Sequence, residues 1–372
     1  MRNVYNLSIR AWLLSLLCLL VGGRAVANEP TDDYITVNDV TLVPGSTDTY
    51  QVEISLVGSQ IYTAYQMDIL FPPGVEPVLM RDVYVKPFNT DDNDLCSSSH
   101  TIGVSYGVVK ERTLRMSCAS LQNSPFYGKS GKLLYFKVKA SPYLKPGDVV
   151  LKVTNFDLIK ENAQTYHCKD QTLTLHAKPE STATLSVSGS SHYGTCVLPF
   201  AVSPLPDGVK AYSAKGLDDK GQLVVLDEVT QLAAYTPYIL YSASGYTGSL
   251  KGTVDANKYG EVVSDGLLRG AIAPQKRKDG YVLQDLGEGA KFYAMDGVEF
   301  LIPEGKCWLE MPAAQASALQ YGIQIGATTG ITAPTTSATA HGKIYTLDGK
   351  LVKTMLPGGI YVVNGKKVLK IK

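Results

Sequence analysis

Hydrophobic and polar residues alternate at period two through most of the first half of the chain. In residues 47–57, apolar side chains alternate with Gln51, Glu53 and Ser55, which predicts a strand with one face on a core and one toward water. The same alternation predicts eight further strands, at residues 34–43, 61–71, 78–85, 101–109, 112–120, 132–140, 149–158 and 171–176. No helical period extends over ten residues here, so the pattern predicts a β-sandwich.

The second half of the chain has shorter apolar runs separated by turn signals. Asp279-Gly280 and Asp296-Gly297 are two of these signals, and Asp-Gly between apolar runs is a strong hairpin cue. Short strands are predicted at residues 223–226, 238–241, 281–283, 291–295 and 298–302. The polar segment 177–181 predicts a boundary, so residues 183–325 are expected to form a second, mainly β domain.

The chain changes character again after residue 325. Residues 326–342 are rich in Thr, Ala, Gly and Ser without apolar periodicity, which is typical of a flexible linker. Residues 343–372 contain two hairpin signals, residues 343–347 with Asp348-Gly349, and Asn364-Gly365 between alternating runs. The second is the stronger signal and predicts a C-terminal β-hairpin. Since an isolated hairpin is only marginally stable, we expect it to pack on another surface.

One family resemblance depends on a strand with the pattern Arg115-x-x-Cys118, followed by Ser130-Gly131-Lys132-Leu133-Leu134 and an alternating strand. This order resembles cohesin-like domains of secreted bacterial surface proteins, over about residues 35–175. The resemblance implies a jelly-roll β-sandwich at residues 28–178 that binds a carbohydrate or an extracellular protein.

Two further resemblances concern the rest of the chain. Segments 193–200, 208–212, 235–241 and 302–309 resemble a β-rich domain that recurs in the same class of surface proteins, and this resemblance implies no activity. Segments 344–345, 348–350 and 359–368 resemble the C-terminal sorting signal of the type IX secretion route. That resemblance implies an interaction with the type IX machinery. The alternative is an ordinary basic hairpin that packs on the preceding domain.

The N-terminus has the features of a signal peptide. Arg2 and Arg10 precede an apolar run at residues 11–22, and Ala25-Val26-Ala27 supplies small residues for cleavage. Residues 1–27 are therefore predicted to be removed, and the mature protein is expected outside the cell or on the surface of an outer-membrane bacterium. The run is too short to span a bilayer. Cys18 suggests lipidation as an alternative, but Leu17 is larger than the residue that a lipobox usually has there.

The charge of the chain limits the class of partner, and its cysteines suggest one disulfide. The 35 Lys and Arg residues nearly balance the 34 Asp and Glu residues, giving a formal charge of +1, so no net field attracts nucleic acid or an anionic membrane. Cys118 lies on an apolar strand face and is expected to behave as a small buried hydrophobe. Cys96 and Cys168 lie in polar segments of the same predicted domain and are the candidate disulfide.

No set of residues in the sequence has the spacing of a catalytic or metal site. His167 and Cys168 are adjacent on an extended chain, so their side chains point to opposite faces. The acidic run from Asp91 to Asp94 lacks the alternating ligands and final glutamate of a calcium loop. Cys96 and His100 have no second pair to complete a zinc set. We therefore expect no metal and no cofactor.

The favoured interpretation is a secreted, surface-displayed and non-catalytic binding protein. The candidate ligand-binding residues are the aromatics Tyr62, Tyr106, Tyr135 and Trp308. Strand tyrosines also form cross-strand pairs or fill the edge of a core, which is the structural alternative. Two other functions stay open: a passive adhesin or spacer, and a polysaccharide-degrading enzyme. Such an enzyme would use scattered carboxylates, for which the candidates are Glu53, Asp68, Asp157 and Glu228.

Overall fold

The computed structural model describes residues 29–91, 94–108, 110–313, 316, 318–325 and four short tail strands. It divides the chain into two compact units, Met1–Gly326 and Ala327–Lys372. The described residues form strands and turns without an α-helix, which confirms the all-β prediction. Accordingly, no helix long and apolar enough to cross a bilayer occurs in this part of the chain. The predicted signal peptide (1–27) and linker (326–342) lie outside the described residues.

The sandwich domain, defined here as residues 29–178, contains the first thirteen strands. They are β1 (Glu29–Thr31), β2 (Tyr34–Val37), β3 (Thr41–Leu42), β4 (Tyr50–Val57), β5 (Ala64–Leu70), β6 (Val75–Val78), β7 (Val85–Pro87), β8 (His100–Tyr106), β9 (Thr113–Ser120), β10 (Ser130–Ala140), β11 (Gly147–Ile159), β12 (Thr165–Cys168) and β13 (Gln171–Ala177).

Two sheets make up the sandwich. The larger has the strand order β1-β12-β11-β5-β9-β8, with β13 paired to β11 and β3 to β13. The smaller has the order β2-β4-β10-β6, with β7 also paired to β10. Their inner faces share one core, in which the rings of Phe71 and Phe136 meet edge to face at 5.7 Å. Burying each such side chain contributes about 1.5 to 3 kcal/mol.

The segment predicted as one strand at residues 78–85 is instead divided into β6 and β7. The Met80 amide donates to the Val83 carbonyl at 2.8 Å, and Arg81 has a left-handed backbone with φ 64°. A left-handed residue interrupts the pleat, so the chain turns here. As a result, β6 and β7 pair with different stretches of β10.

The second domain, defined here as residues 180–325, contains fourteen strands. They are β14 (Glu180–Val187), β15 (Tyr193–Cys196), β16 (Lys210–Leu217), β17 (Leu223–Val229), β18 (Tyr238–Tyr241), β19 (Tyr246–Thr253), β20 (Val262–Asp265), β21 (Leu268–Ala271), β22 (Gln275–Arg277), β23 (Tyr281–Asp285), β24 (Ala290–Ala294), β25 (Phe300–Ile302), β26 (Cys307–Leu309) and β27 (Gln320–Ile325).

Ten of these strands form one sheet in the order β15-β18-β16-β17-β27-β24-β23-β26-β21-β20. The last strand in sequence, β27, lies in its middle. It pairs in parallel with β17, where Leu223 is opposite Gly322, and antiparallel with β24, where Phe292 is opposite Tyr321. The remaining strands form the pairs β14-β19 and β22-β25.

The two domains share buried contacts. Tyr143 belongs to the sandwich domain but packs in the core of the second domain, and its hydroxyl donates to the Val197 carbonyl at 2.5 Å. The Ser181 hydroxyl donates to the Pro142 carbonyl at 2.7 Å. Gly45 has φ 70°, and a Cβ there would lie 1.8 Å from the Thr182 carbonyl oxygen, so this close approach requires glycine.

The tail unit is described through a four-stranded antiparallel sheet. Its strands are β28 (Ile344–Thr346), β29 (Leu351–Val352), β30 (Ile360–Val363) and β31 (Lys366–Leu369), in the order β29-β28-β30-β31. The predicted hairpin corresponds to β30 and β31, where Val363 is opposite Lys366. Its Asn364-Gly365 turn lies outside the described residues. The hairpin pairs with β28, which also pairs with β29, so the two hairpin signals of the tail belong to one sheet.

Candidate functional site

Two of the four aromatic residues proposed as ligand contacts are core residues. Tyr62 is 0% exposed and Trp308 1% exposed. The Tyr62 hydroxyl donates to the Asp33 carboxylate, and its ring meets that of Tyr166 edge to face. Trp308 is covered by the guanidinium of Arg277, 5.3 Å from the ring centroid. Neither ring has a free face for a ligand, because burial of their large apolar area decides their position.

The other two aromatics lie apart from each other. Tyr106, on β8, is half-buried and packs against the rings of Phe71 and Tyr84 at 6.3 and 5.5 Å. Tyr135, on β10, is half-buried on the outer face of the smaller sheet, beside Phe88. The structure therefore does not assemble the four aromatics into one site.

The candidate disulfide between Cys96 and Cys168 is not formed in the structure. Both are buried free thiols. The Cys96 Sγ donates to the Leu133 carbonyl at 3.5 Å, and burial raises the pKa of Cys168 to about 12. Cys118 is 1% exposed on the core face of β9, where the alternation of that strand places it.

The acidic run offers no metal site in the part of the chain that is described. Asp92 and Asn93 lie outside that part. Asp94 is buried, and one of its carboxylate oxygens accepts from the Thr90 and Asp91 amides at 2.6 and 2.7 Å. Among the described residues, no three His, Cys, Asp or Glu side chains are grouped to hold a metal ion.

A groove of about 640 Å³ crosses the outer face of the larger sheet, on strands β11, β5, β9 and β8. Most of its exposed lining is apolar, and a row of polar residues crosses it. The register places Asp157, Gln66, Ser117 and Gly103 in one row across these four strands. Gly103, Ser117 and Ala119 have small side chains, so the floor of the groove lies close to the backbone. We call this surface the polar groove.

Asp68 is the centre of one hydrogen-bonded group in the polar groove. The Arg115 Nε and one terminal nitrogen each donate to a different Asp68 oxygen at 2.7 Å. The side-chain Nδ2 of Asn155 donates to one of these oxygens at 2.9 Å. Burial opposes ionisation of Asp68, but the bonds from Arg115 and Asn155 outweigh it and lower the pKa of the carboxyl. Asp68 is therefore a fixed anion that holds Arg115 in place.

A β-bulge positions Asn155 for this contact. The register between β11 and β5 shifts between Thr154 and Asp157, and Asn155 has a left-handed backbone with φ 52°. A bulge adds one residue to a strand and redirects its side chains. Asparagine tolerates the left-handed region better than most residues, which is consistent with its position here.

Asp157 is the centre of the second group. It accepts from the Gln66 Nε2 at 2.7 Å, and its other oxygen is 2.6 Å from the His167 Nδ1. The Asp157 side chain is only 12% exposed, whereas that of His167 is 48% exposed. The carboxylate thus orients the imidazole and leaves part of the ring open to solvent.

The geometry of the polar groove suits binding better than catalysis. A glycosidase needs a carboxylic acid with a raised pKa, but the pKa of Asp68 is lowered. Ser117 is on the third strand from that of His167. With strands about 4.8 Å apart, the backbone positions of Ser117 and His167 are about 14 Å apart, too far for a Ser-His-Asp triad.

Sequence reasoning missed the polar groove as a site. It considered Asp68 and Asp157 only as scattered carboxylates, and Arg115 only as part of a family resemblance. The one available signal was the recurrence of polar residues at the outward positions of neighbouring strands. Which of these residues share a row depends on strand pairing and on the bulge at Asn155, and neither follows from alternation alone.

No protein-family model matches this chain. No curated protein matches it either.

Solved structures similar to this chain are cohesin modules. One is a non-cellulosomal cohesin from the archaeon Archaeoglobus fulgidus, with 12% identity, a TM-score of 0.29, and coverage of 39% of this chain and 91% of that chain. Another is the cohesin of a type I cohesin–dockerin complex from Clostridium thermocellum, with 10% identity, a TM-score of 0.30, and coverage of 42% and 99%. A third is the cohesin module of a family 33 glycoside hydrolase from Clostridium perfringens, with 13% identity, a TM-score of 0.30, and coverage of 41% and 100%.

Proposed function

We propose that the protein is a non-catalytic binding protein whose sandwich domain binds an extracellular protein through the polar groove. The observation that carries the proposal is the pair of anchored carboxylates, Asp68 and Asp157. They hold Arg115 and His167 in fixed positions while both side chains stay about half exposed, at 47% and 48%. Side chains that are ordered before binding lose less entropy on association.

The floor of the polar groove supports contact with another polypeptide. Gly103, Ser117 and Ala119 leave room for a partner segment to approach the backbone. Arg115 keeps N–H groups beyond those that bond Asp68, and arginine is enriched in protein interfaces. The groove therefore offers hydrogen-bonding groups of fixed position, in which the charge of Arg115 is balanced by that of Asp68.

The partner class follows from the resemblance noted in the sequence. The cohesin from Clostridium thermocellum is found in complex with a dockerin, and a dockerin-like module is the corresponding candidate partner here. This chain has no calcium-loop repeat of its own, so in such a pair it is the receiving protein. The choice of the polar groove as the binding surface does not depend on this neighbour, because it rests on the contacts of Asp68 and Asp157.

We expect Ser117→Arg to abolish or strongly weaken partner binding. The substitution puts a long charged side chain on the groove floor, where a central interface residue contributes most, so affinity should fall at least about tenfold. Ser117 is exposed, and stability should change by less than about 0.5 kcal/mol. The purified chain is used to capture a partner from extracellular proteins of the source organism, and the captured protein is then titrated against each variant.

Thr174→Arg is the matched control for this experiment. Thr174 is exposed on β13 in the same sheet but does not line the groove, so this variant should bind like the wild type. If Ser117→Arg and Thr174→Arg both bound the partner as tightly as the wild type, the interface would lie outside the polar groove. No partner in repeated captures would favour a passive adhesin or spacer. Sugar release that is abolished by Asp68→Asn or Asp157→Asn would establish an enzyme.

Secretion and surface display complete the proposal. They rest on the signal-peptide pattern of residues 1–27 and on the resemblance of residues 343–372 to a type IX sorting signal. We expect deletion of residues 359–372 to retain the protein in the periplasm, because it removes the two strands β30 and β31. Cell fractionation and surface proteolysis measure this. Unchanged surface display would show that the tail is not a sorting signal.

A further inference from the structure

A second hollow, of about 420 Å³, lies on the outer face of the smaller sheet. Its floor consists of the rings of Phe88 and Tyr135, and its edges include Gln51, Lys86 and Asn89. We call this set the aromatic shelf. It is on the opposite sheet of the sandwich from the polar groove, so a ligand there does not compete with a protein partner in the groove.

The two rings of the aromatic shelf are held in place before any ligand binds. They lie 5.0 Å apart with 47° between their planes. The backbone of Phe88 is held by two hydrogen bonds, because its N–H donates to the Leu133 carbonyl at 3.1 Å and its carbonyl accepts from the Cys96 N–H at 3.2 Å. Tyr135 is in β10, which pairs with β4 on one side and β7 on the other. The shelf is thus a preformed surface.

Three polar groups around the rings are free to bond a ligand. The Tyr135 hydroxyl, the Asn89 amide and the Lys86 ammonium each have no hydrogen-bond or ion-pair partner among the described residues. A hollow with an apolar floor and a few free polar groups is the usual form of a small-molecule site. Carbohydrate rings fit this combination because they have both C–H faces and hydroxyl groups.

Lys86 is the one charged residue among those that line the aromatic shelf. Asp91 and Asp94 follow in the adjacent loop, where the Asp94 carboxylate accepts from the Thr90 and Asp91 backbone amides. Lys132 is paired with Glu53 at 3.2 Å, and its ammonium lies 5.0 Å from the centroid of the Phe88 ring. Lys86 and Lys137 have no carboxylate partner within ion-pair distance in the described residues. The register places Lys86 opposite Tyr135 on the neighbouring strand. An unpaired lysine in the lining, with a second one on the adjacent strand, favours an anionic ligand beside the two tilted rings.

We infer that the aromatic shelf binds an acidic polysaccharide, one whose sugar units carry carboxylates. A sugar ring stacks on Phe88 and Tyr135, its carboxylate pairs with Lys86, and its hydroxyls bond Asn89 and the Tyr135 hydroxyl. This inference does not depend on the protein-binding role of the polar groove. It assigns to Tyr135 the sugar contact that the sequence suggested for four separate aromatics, and it adds Phe88, Lys86 and Asn89.

The test compares tetragalacturonate with the neutral cellotetraose by calorimetric titration of the full chain. Tetragalacturonate should bind, and more tightly than cellotetraose. Tyr135→Ala should weaken this binding by about tenfold or more, because it removes one of the two stacking rings. Lys86→Met should weaken only the acidic ligand, by about three- to fivefold, and should reduce the salt dependence of binding.

Tyr127→Ala is the matched control, because Tyr127 is 72% exposed in the same domain and does not line the shelf; it should bind like the wild type. Tyr135→Phe keeps the ring and should retain most of the affinity. If Tyr135→Ala does not fold, Asn89→Ala combined with Lys86→Met tests the same surface. Unaltered binding by these variants, tighter binding of cellotetraose, or binding of peptides in place of both sugars would overturn the inference.

Discussion

Replacing Tyr143 with alanine is expected to lower the free energy of unfolding by about 3 to 5 kcal/mol, the usual loss when a large buried aromatic side chain is removed. Tyr143 is 2% exposed, and its ring lies 6.3 Å from that of Tyr235 in the second domain. The change also removes the hydroxyl that donates to the Val197 carbonyl, leaving a buried acceptor without its partner. Tyr143 belongs to the sandwich domain but packs in the core of the second domain. The lost free energy is therefore free energy that stabilises the contact between the two domains.

Urea unfolding, followed with two independent probes, measures this loss of unfolding free energy and shows whether the two domains unfold together. Wild-type protein should unfold in one transition for the whole unit that holds both domains, whereas Tyr143→Ala should give two separated transitions. Tyr143→Phe keeps the ring and leaves only the buried Val197 carbonyl without its partner, so it should cost about 1 to 3 kcal/mol. A single transition with an unchanged midpoint in Tyr143→Ala would show that the domains are not coupled through this residue.

The second large effect concerns pH and the carboxyl of Glu304. Burial raises the pKa of Glu304 from 4.5 to about 7. The folded chain therefore holds a proton between these values that the unfolded chain releases. Stability due to this group should fall as pH rises from about 4.5 to 7, by up to about 3 kcal/mol, and stay at the lower level above pH 7.

The surroundings of Glu304 explain the shift. It lines a hollow of about 320 Å³ between the two domains, together with Glu76, Lys139 and Tyr259. The Ser141 hydroxyl donates to Glu304 at 2.7 Å and favours the anion, as Lys139 does, while the nearby negative charge of Glu76 opposes it. Lys139 is itself paired with Glu76 at 3.4 Å, so burial of Glu304 decides the direction.

Glu304→Gln isolates this contribution. The variant stays neutral at every pH, so the difference in unfolding free energy between wild type and variant should change between pH 5 and pH 8. Urea midpoints at several pH values give this difference. The titration of histidines contributes equally to the wild type and the variant, so it cancels in the difference. Glu76→Gln, which removes the like charge, should move the transition to lower pH. A wild-type-minus-variant difference that is constant with pH would show that Glu304 does not titrate in this range.

Much of the fold follows from the sequence because burial imposes the period of two. The alternation in residues 47–57 and 132–140 corresponds to β4 and β10, whose inner residues fill the core of the sandwich. The alternation misled at residues 78–85, where a left-handed Arg81 produces a turn. It also missed β1 and β12, because strands of three and four residues are too short to show a period.

The sites were less predictable, because they depend on which strands pair. Tyr62 and Tyr135 both occur in strand-like sequence, yet one is in the core and the other on a surface. The difference arises from tertiary packing, which alternation does not report. Likewise, Asp68 and Arg115 are 47 residues apart in sequence, and only the pairing of β5 with β9 makes them neighbours.

The central position of β27 has a consequence for the order of folding. On one side of it lie β15, β18, β16 and β17, and on the other β24, β23, β26, β21 and β20. During synthesis from the N-terminus, both groups emerge before residues 320–325, each with an open edge where β27 later pairs. The second domain can therefore close only after nearly all of its chain is available. The pairing of β27 therefore delays closure of this sheet until synthesis of the domain is almost complete.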